Sequence, residues 1–287
     1  MGVKVITDST SYIPRPRREA LDIGIAQLSS LLDGVTYPDD CAAFYAALAA
    51  TDSWPTTSQP SVQDVVDLME ERVIDGHSVV GVFISEHMSG TFSTALLARD
   101  LVREKRPDAV IEVVDGRSNS LELGYAVLAA AEAAAEGKSV PEVVAAAEER
   151  THHTRFLFTP LTLDYLRRGG RIGNAQALLA TLLQIKPILT VVDGFTDTFA
   201  KVRTLQRAHD LIVDTFAHDI KEFGGLGEAY VHHINDRAAG ERFAARISEV
   251  AGRPIEVRDI GPVIGTHVGP GTVAVVYYTN DRLDKSR

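Results

Sequence analysis

Short β-branched runs alternate with longer stretches of helical spacing through the first half of the chain. Residues 3–7, 79–84 and 110–114 are nearly continuous in apolar side chains and are bounded by turn formers. Between them, residues 62–73, 91–105 and 121–136 carry apolar positions three and four apart, the spacing of one helix face. A strand without polar alternation is buried on both faces, and strand–helix–strand repetition brings consecutive strands parallel. The pattern predicts an N-terminal α/β domain with a mostly parallel sheet and flanking helices.

Several boundaries are marked by chemistry as well as by periodicity. Ser61 followed by Asp64 reads as a capping box with Asp in the usual Glu position. Ser89 or Thr91 is expected to cap the next helix. Both loops then fall just before a helix N-terminus at the C-terminal end of a strand. Open α/β sheets bind ligands there, and the helix dipole favours negative charge. Glu136-Gly137-Lys138-Ser139 divides an Ala-rich stretch into two helices.

Beyond about residue 155 the pattern changes. Strands are expected at 156–159, 187–192, 228–233, 255–260 and 272–278, with a hairpin signal at Asp193-Gly194 and helices at 205–223 and 238–250. This reads as a second α/β domain with a mixed or partly antiparallel sheet. The expected division is 1–155, carrying the hydroxyl loops, and 156–287, carrying the basic motif and the His loop.

Composition narrows the function classes. Hydrophobic residues make up 45% of the 287, enough for a full core, and the net charge of −10 sets nucleic-acid binding aside. No apolar run of about 18 residues is present, so no membrane span is expected. The first residues read as a strand without a leader, and Ile6 stands where a myristoylation signal needs Ser or Thr. Cys41 is the only cysteine, which fits a reducing cytoplasm; beside Asp39 and Asp40 it reads as a small core filler.

Candidate chemistry centres on three loops of small hydroxyl donors. These are Thr57-Ser58-Gln59-Pro60-Ser61, Ser89-Gly90-Thr91-Phe92-Ser93 and Thr266-His267-Val268-Gly269-Pro270-Gly271. Each pairs hydroxyls with a Gly or Pro that exposes backbone amides, a combination able to hold an anion without a fixed cation. Singly, such residues are ordinary turn and cap formers. No phosphate-binding Gly-Lys-Ser/Thr loop, dinucleotide fingerprint or nucleophile elbow is present. His152-His153 and His232-His233 are adjacent pairs whose rings diverge, so no metal site is expected. The residues alone leave open a serine hydrolase using Ser89 and His267 with Asp8 as orienter, and a binding module for a small anionic metabolite.

Six blocks in fixed order give these loops joint weight. They are Val5-Ile6-Thr7-Asp8-Ser9-Thr10, the Thr57 loop, Ser89 to Ala95, Leu166-Arg167-Arg168-Gly169-Gly170-Arg171-Ile172 with Ile185-Lys186-Pro187-Ile188-Leu189, Lys201-Val202-Arg203-Thr204, and Gly261 to Gly271. On these blocks the chain resembles the DegV family of bacterial fatty-acid-binding proteins. The resemblance implies one long-chain fatty acid in a tunnel between two α/β domains and no other cofactor. It implies Thr57 and Ser89 as the carboxylate-binding hydroxyls, with Ser58, Thr91, Ser120 and His267 close by. It also implies a non-catalytic role, in which the lipid is presented to a separate, dihydroxyacetone-kinase-like fatty-acid kinase that makes the acyl phosphate. The basic residues Arg167, Arg168, Arg171, Lys201 and Arg203 are then the expected partner-docking face.

Two departures from the family pattern stand out. After the third strand, Gly116 and Glu122 replace a Ser and a Gly, so that Glu122 is expected on the new helix's surface or in the pocket wall. Glu86-His87-Met88 precede Ser89 in place of a plainer stretch. A bound acyl chain gains about 0.8 kcal/mol per buried methylene, partly offset by lost motion. Its buried carboxylate must receive hydrogen bonds or be protonated.

Overall fold

The computed structural model describes residues 2–40 and 43–285, with the side chains of 180–184 left aside. Cys41, the expected core filler, lies outside the described residues. Along the chain come β1 (Val3–Asp8), a 3-10 turn (Ser9–Ser11), α1 (Arg15–Ala20), β2 (Gly24–Ala26), β3 (Ser29–Leu32), β4 (Val35–Pro38), α2 (Ala43–Ala49) and β5 (Thr56–Ser58). Next are α3 (Val62–Ile74), β6 (Ser78–Phe83), α4 (Thr91–Lys105), β7 (Ile111–Asp115), α5 (Ser120–Ala135), α6 (Val140–His153), β8 (Thr154–Thr159) and α7 (Asp164–Arg168). A 3-10 segment (Gly173–Gln184) leads to β9 (Lys186–Val192), β10 (Phe195–Val202), α8 (Leu205–Glu222), β11 (Leu226–His233), α9 (Arg237–Ala251), β12 (Glu256–Asp259), α10 (Pro262–Val268) and β13 (Val273–Thr279).

The chain forms two compact units, Met1–Asp39 with Thr57–Thr151, and Asp40–Thr56 with His152–Arg287. Residues 40–56, which the expected division assigns to the N-terminal domain, cluster with the second unit.

In the first unit the order β2-β1-β6-β7 is parallel at every pairing. The near-continuous apolar strands are buried as expected: Ile6, Val79, Phe83 and Ile111 join Val65 and Met69 of α3 and Ala95, Ala98 and Val102 of α4 in one core. The α5 helix is buried from Ser120 to Ala131 and packs against β1 and the Ser9–Ser11 turn, where Gly124 leaves room for the backbone carbonyl of Ser11. A capping box opens α3, with Asp64 N donating to Ser61 Oγ at 3.1 Å and Ser61 N to Asp64 Oδ2 at 3.2 Å.

The second unit is built on a mixed sheet in the order β10-β9-β8-β13-β11-β12, parallel only between β11 and β12. Leu157, Val231, Val275 and Tyr277 pack beneath Ile212 and Phe216 of α8 and Phe243 and Ile247 of α9. Within this core Arg155 Nε and Asp219 Oδ2 form a buried ion pair at 2.6 Å, and Tyr277 donates its hydroxyl to the same oxygen at 2.6 Å. Burial, with the Asp219 charge beside it, pushes the Tyr277 phenol well above its ordinary range.

The β9–β10 turn realises the Asp-Gly hairpin signal, with φ of +50° at Asp193 and +82° at Gly194 between the paired Val192 and Phe195. Asp33-Gly34 makes the same turn between β3 and β4, with φ of +49° and +79°.

Two local expectations are corrected. The stretch read as a His loop is helical from Pro262 to Val268, so His267 stands in the last turn of α10. Pro262, which looks like a breaker, occupies the first turn, where its missing N–H costs nothing. The cap of α4 is Gly90, without a side-chain cap bond, in place of Ser89 or Thr91.

Candidate functional site

The strands of the first unit end at Asp8, Phe83 and Asp115, and the loops beyond them are tied together by backbone bonds. Gly116 N donates to Phe83 O at 2.8 Å and Ser85 N to Ser118 O at 3.0 Å. Ser85 O then accepts from Met88 N at 2.9 Å and from Ser89 N at 3.1 Å, which folds the loop back and delivers Ser89 to the start of α4. There the Ser89 and Thr91 hydroxyls are 2.8 Å apart, and Thr91 N donates to Ser89 Oγ at 3.3 Å. Ser89 is half-buried and Thr91 fully buried. The result is a hydroxyl pair at the positive end of a helix dipole.

The Thr57 loop joins the same helix start through a residue that sequence reasoning passed over. Gln59 Nε2 donates to Thr94 Oγ1 at 2.6 Å. Its amide lies against Gly90, where an added Cβ would come 2.1 Å from Gln59 Oε1. An alanine at 90 would push the exposed end of the Gln59 side chain aside. Thr57 is half-buried at the centre of β5, and Ser58, which ends the strand, is exposed. Gln59 belongs to the Thr57 loop, but nothing in its residue type marks it as the tether.

Ser120 is buried and donates to Asn119 Oδ1 at 2.8 Å, while Asn119 Nδ2 contacts Met88 Sδ at 3.1 Å. Ser120 also holds φ at +54°, a left-handed conformation that is strained for a non-glycine residue and typical of functional loops. Glu122 does not lie on the helix surface: it is buried and accepts from Ser118 Oγ at 2.6 Å. Asp8, the orienter of the hydrolase alternative, is committed elsewhere. Its carboxylate accepts from Thr10 N at 3.0 Å, Thr10 Oγ1 at 2.5 Å and Ile84 N at 2.7 Å. Burial raises its pKa, against the pull of these donors.

The second unit holds the remaining expected residues. The His267 ring lies on Gly169, where a Cβ would come 2.3 Å from Nδ1. Burial, with the Arg171 charge adding to it, pushes the His267 pKa down to about 4, so the ring is neutral at pH 7. Arg171 Nη1 donates to Gly169 O at 2.6 Å, and burial lowers its own pKa. Arg167 pairs with Asp164 at 3.2 Å. The Arg168 guanidinium stacks 4.2 Å from the ring of Trp54, which itself lies 4.8 Å from Tyr165. Lys201 and Arg203 are exposed and enter no ion pair among the described residues.

Among the described residues no group of three or more His, Cys, Asp or Glu is placed to hold a metal ion. Among them, too, no helix is long and apolar enough to cross a membrane.

A two-unit α/β protein with hydroxyl loops at the C-terminal edge of a parallel sheet is a small-molecule-binding architecture. The chain matches the family model described as "Uncharacterised protein, DegV family" over residues 2–280. It is 44% identical over 286 residues to a DegV domain-containing protein of Clostridium acetobutylicum, covering 99% of this chain and 100% of that one. Among solved structures it is similar to a DegV family protein from Thermus thermophilus described by its fatty acid binding, at 31% identity and a TM-score of 0.86, covering 97% and 100% of the two chains. It is similar as well to DegV of Bacillus subtilis, described as a fatty acid binding protein, at 30% identity and a TM-score of 0.86, covering 98% and 100%. The chain belongs to the DegV family.

Proposed function

We propose that this protein binds one long-chain fatty acid and holds its carboxylate with the hydroxyls of Thr57 and Ser89, assisted by Ser58, Thr91 and Ser120. The observation that carries the reading is the 2.8 Å Ser89–Thr91 hydroxyl pair at the start of α4, with the Thr57 loop tethered to the same helix. Two donors and a helix terminus satisfy a carboxylate without a fixed cation. His267 belongs to the proposal as a neutral hydrogen-bonding group, because its pKa of about 4 denies it a charge at pH 7. The fatty-acid binding described for the Thermus thermophilus and Bacillus subtilis proteins supports the ligand class.

The role is non-catalytic in this proposal. Ser89 bonds to Thr91, and the Asp8 carboxylate is occupied by Thr10 and Ile84, which leaves it unsuited to orient a histidine. The bound lipid is presented to a separate fatty-acid kinase through Arg167, Arg168, Arg171, Lys201 and Arg203. Arg167, Arg168, Lys201 and Arg203 are exposed, and a basic group in a chain of net charge −10 supports an acidic or phosphate-bearing partner there.

Mass spectrometry of ligand extracted from the purified protein tests the proposal. A long-chain fatty acid in wild type, depleted in the Thr57→Val/Ser89→Ala double variant, is expected. Recovery of a sugar or phosphorylated metabolite in place of lipid contradicts it.

A further inference from the structure

Asp8 occupies an unusual place for a charge. It ends β1 inside the parallel sheet and is completely buried, yet three donors from two different loops converge on it. Thr10 supplies its amide and hydroxyl from the turn after β1, and Ile84 supplies its amide from the first residue after β6. Burying a carboxylate is expensive even when it is hydrogen-bonded, and an apolar residue in its place would leave the three donors unpaired.

The bonds that continue from Ile84 show what the charge holds. Ser85 follows directly, its N–H fixed by Ser118 O at 3.0 Å and its carbonyl accepting from Met88 N and Ser89 N. Its side chain also accepts from His87 N at 3.2 Å. The position of Ser89 is thus set by a hydrogen-bonded relay whose fixed end is the Asp8 carboxylate. Ser11 Oγ closes the other side by donating to Asp8 O at 2.9 Å.

We infer that Asp8 is a positioning residue for the head-group site, holding the Ser89 hydroxyl where it meets a ligand carboxylate while touching no ligand itself. The inference rests on the fatty-acid reading above. An Asn at position 8 is the same size but carries one acceptor oxygen and one donating NH2 group in place of two acceptor oxygens. Either the Ile84 amide or the Thr10 pair then faces an N–H, and the loop shifts.

The test is head-group selectivity, which a purely structural role does not move. Affinities for myristic acid and tetradecan-1-ol are measured on delipidated protein by competition with a fluorescent fatty acid. Wild type is expected to prefer the acid; failure to bind either ligand would sink the fatty-acid reading itself. Asp8→Asn is expected to lose about tenfold in acid affinity with the alcohol held within about twofold. If Asp8→Asn does not fold, Thr10→Val, which removes a single donor to Asp8, decides by a smaller loss in the same direction. An acid preference equal to wild type in a folded variant, or a parallel fall for acid and alcohol, overturns the inference.

Discussion

Gln59 Nε2 reaches Thr94 Oγ1 at 2.6 Å, and that bond fastens the loop bearing Thr57 to the helix that begins beside Ser89. Removing the amide in Gln59→Ala leaves the exposed loop folded but loose. Fatty-acid affinity is expected to fall by about 0.5–1.5 kcal/mol, a few-fold to about tenfold, with little change in thermal midpoint. Gly90→Ala pushes the same amide aside. In a double-mutant cycle the two losses are expected to be strongly non-additive, and titration calorimetry reads the coupling.

Ser89→Ala removes a hydroxyl assigned to the ligand carboxylate. Hydrogen bonds to charged groups contribute about 1.5–3 kcal/mol, so acid affinity is expected to drop at least about tenfold. Affinity for a methyl ester of the same chain length changes less. Equal losses for acid and ester would place Ser89 outside the head-group contact.

Acid weakens the second unit through its histidines. Burial lowers the pKa of His232 to about 3, and burial with Arg171 lowers that of His267 to about 4. As pH falls below 6.5 the unfolded chain takes up protons that the folded chain refuses. Stability is therefore full above pH 6.5 and lost progressively towards pH 4, by at most about 1.4 kcal/mol per pH unit for each ring. Thermal midpoints measured from pH 7.5 to 4.5 are expected to fall, and less steeply in His267→Gln.

The buried Arg155–Asp219 pair is a stability element of the second unit. Asp219→Ala strands a guanidinium in the core and removes the acceptor of Tyr277, and it is expected to cost about 3–5 kcal/mol in urea unfolding. Replacing Arg155 and Asp219 together with apolar residues is expected to cost less than either single change.

Partner coupling is best probed at Lys201 and Arg203. Arg171 donates to Gly169 O and belongs to the local fold, so its removal mixes two effects. Lys201→Ala/Arg203→Ala is expected to slow kinase turnover several-fold, more so at low salt, while bound lipid survives extraction and quantification unchanged. Lipid loss with normal turnover contradicts the assignment.

Strands and helices with strong periodicity were legible in the chain, and so were the parallel sheet and the mixed one. The α4 boundaries, Thr91–Lys105, coincide with the expected span because apolar spacing and a preceding Gly agree. Short elements were not legible. The three-residue β2 and β5 have too few positions for a period to register, and they exist through pairing with distant neighbours. The α10 helix was hidden by Pro262 and by a Thr-His-Val-Gly stretch of low helical propensity. In the site, hydroxyl residues were recognisable by type, whereas the tether Gln59, the buried Glu122 and the relay from Asp8 depend on which groups the fold brings within bonding distance.

The most direct measurement is titration of delipidated protein with palmitic acid, wild type against Thr57→Val/Ser89→Ala. One-to-one binding in wild type that weakens at least about a hundredfold in the double variant, with thermal midpoints alike, is the predicted result. No heat or fluorescence change with wild type, or equal affinity in both proteins, would contradict a head-group site built from these two hydroxyls.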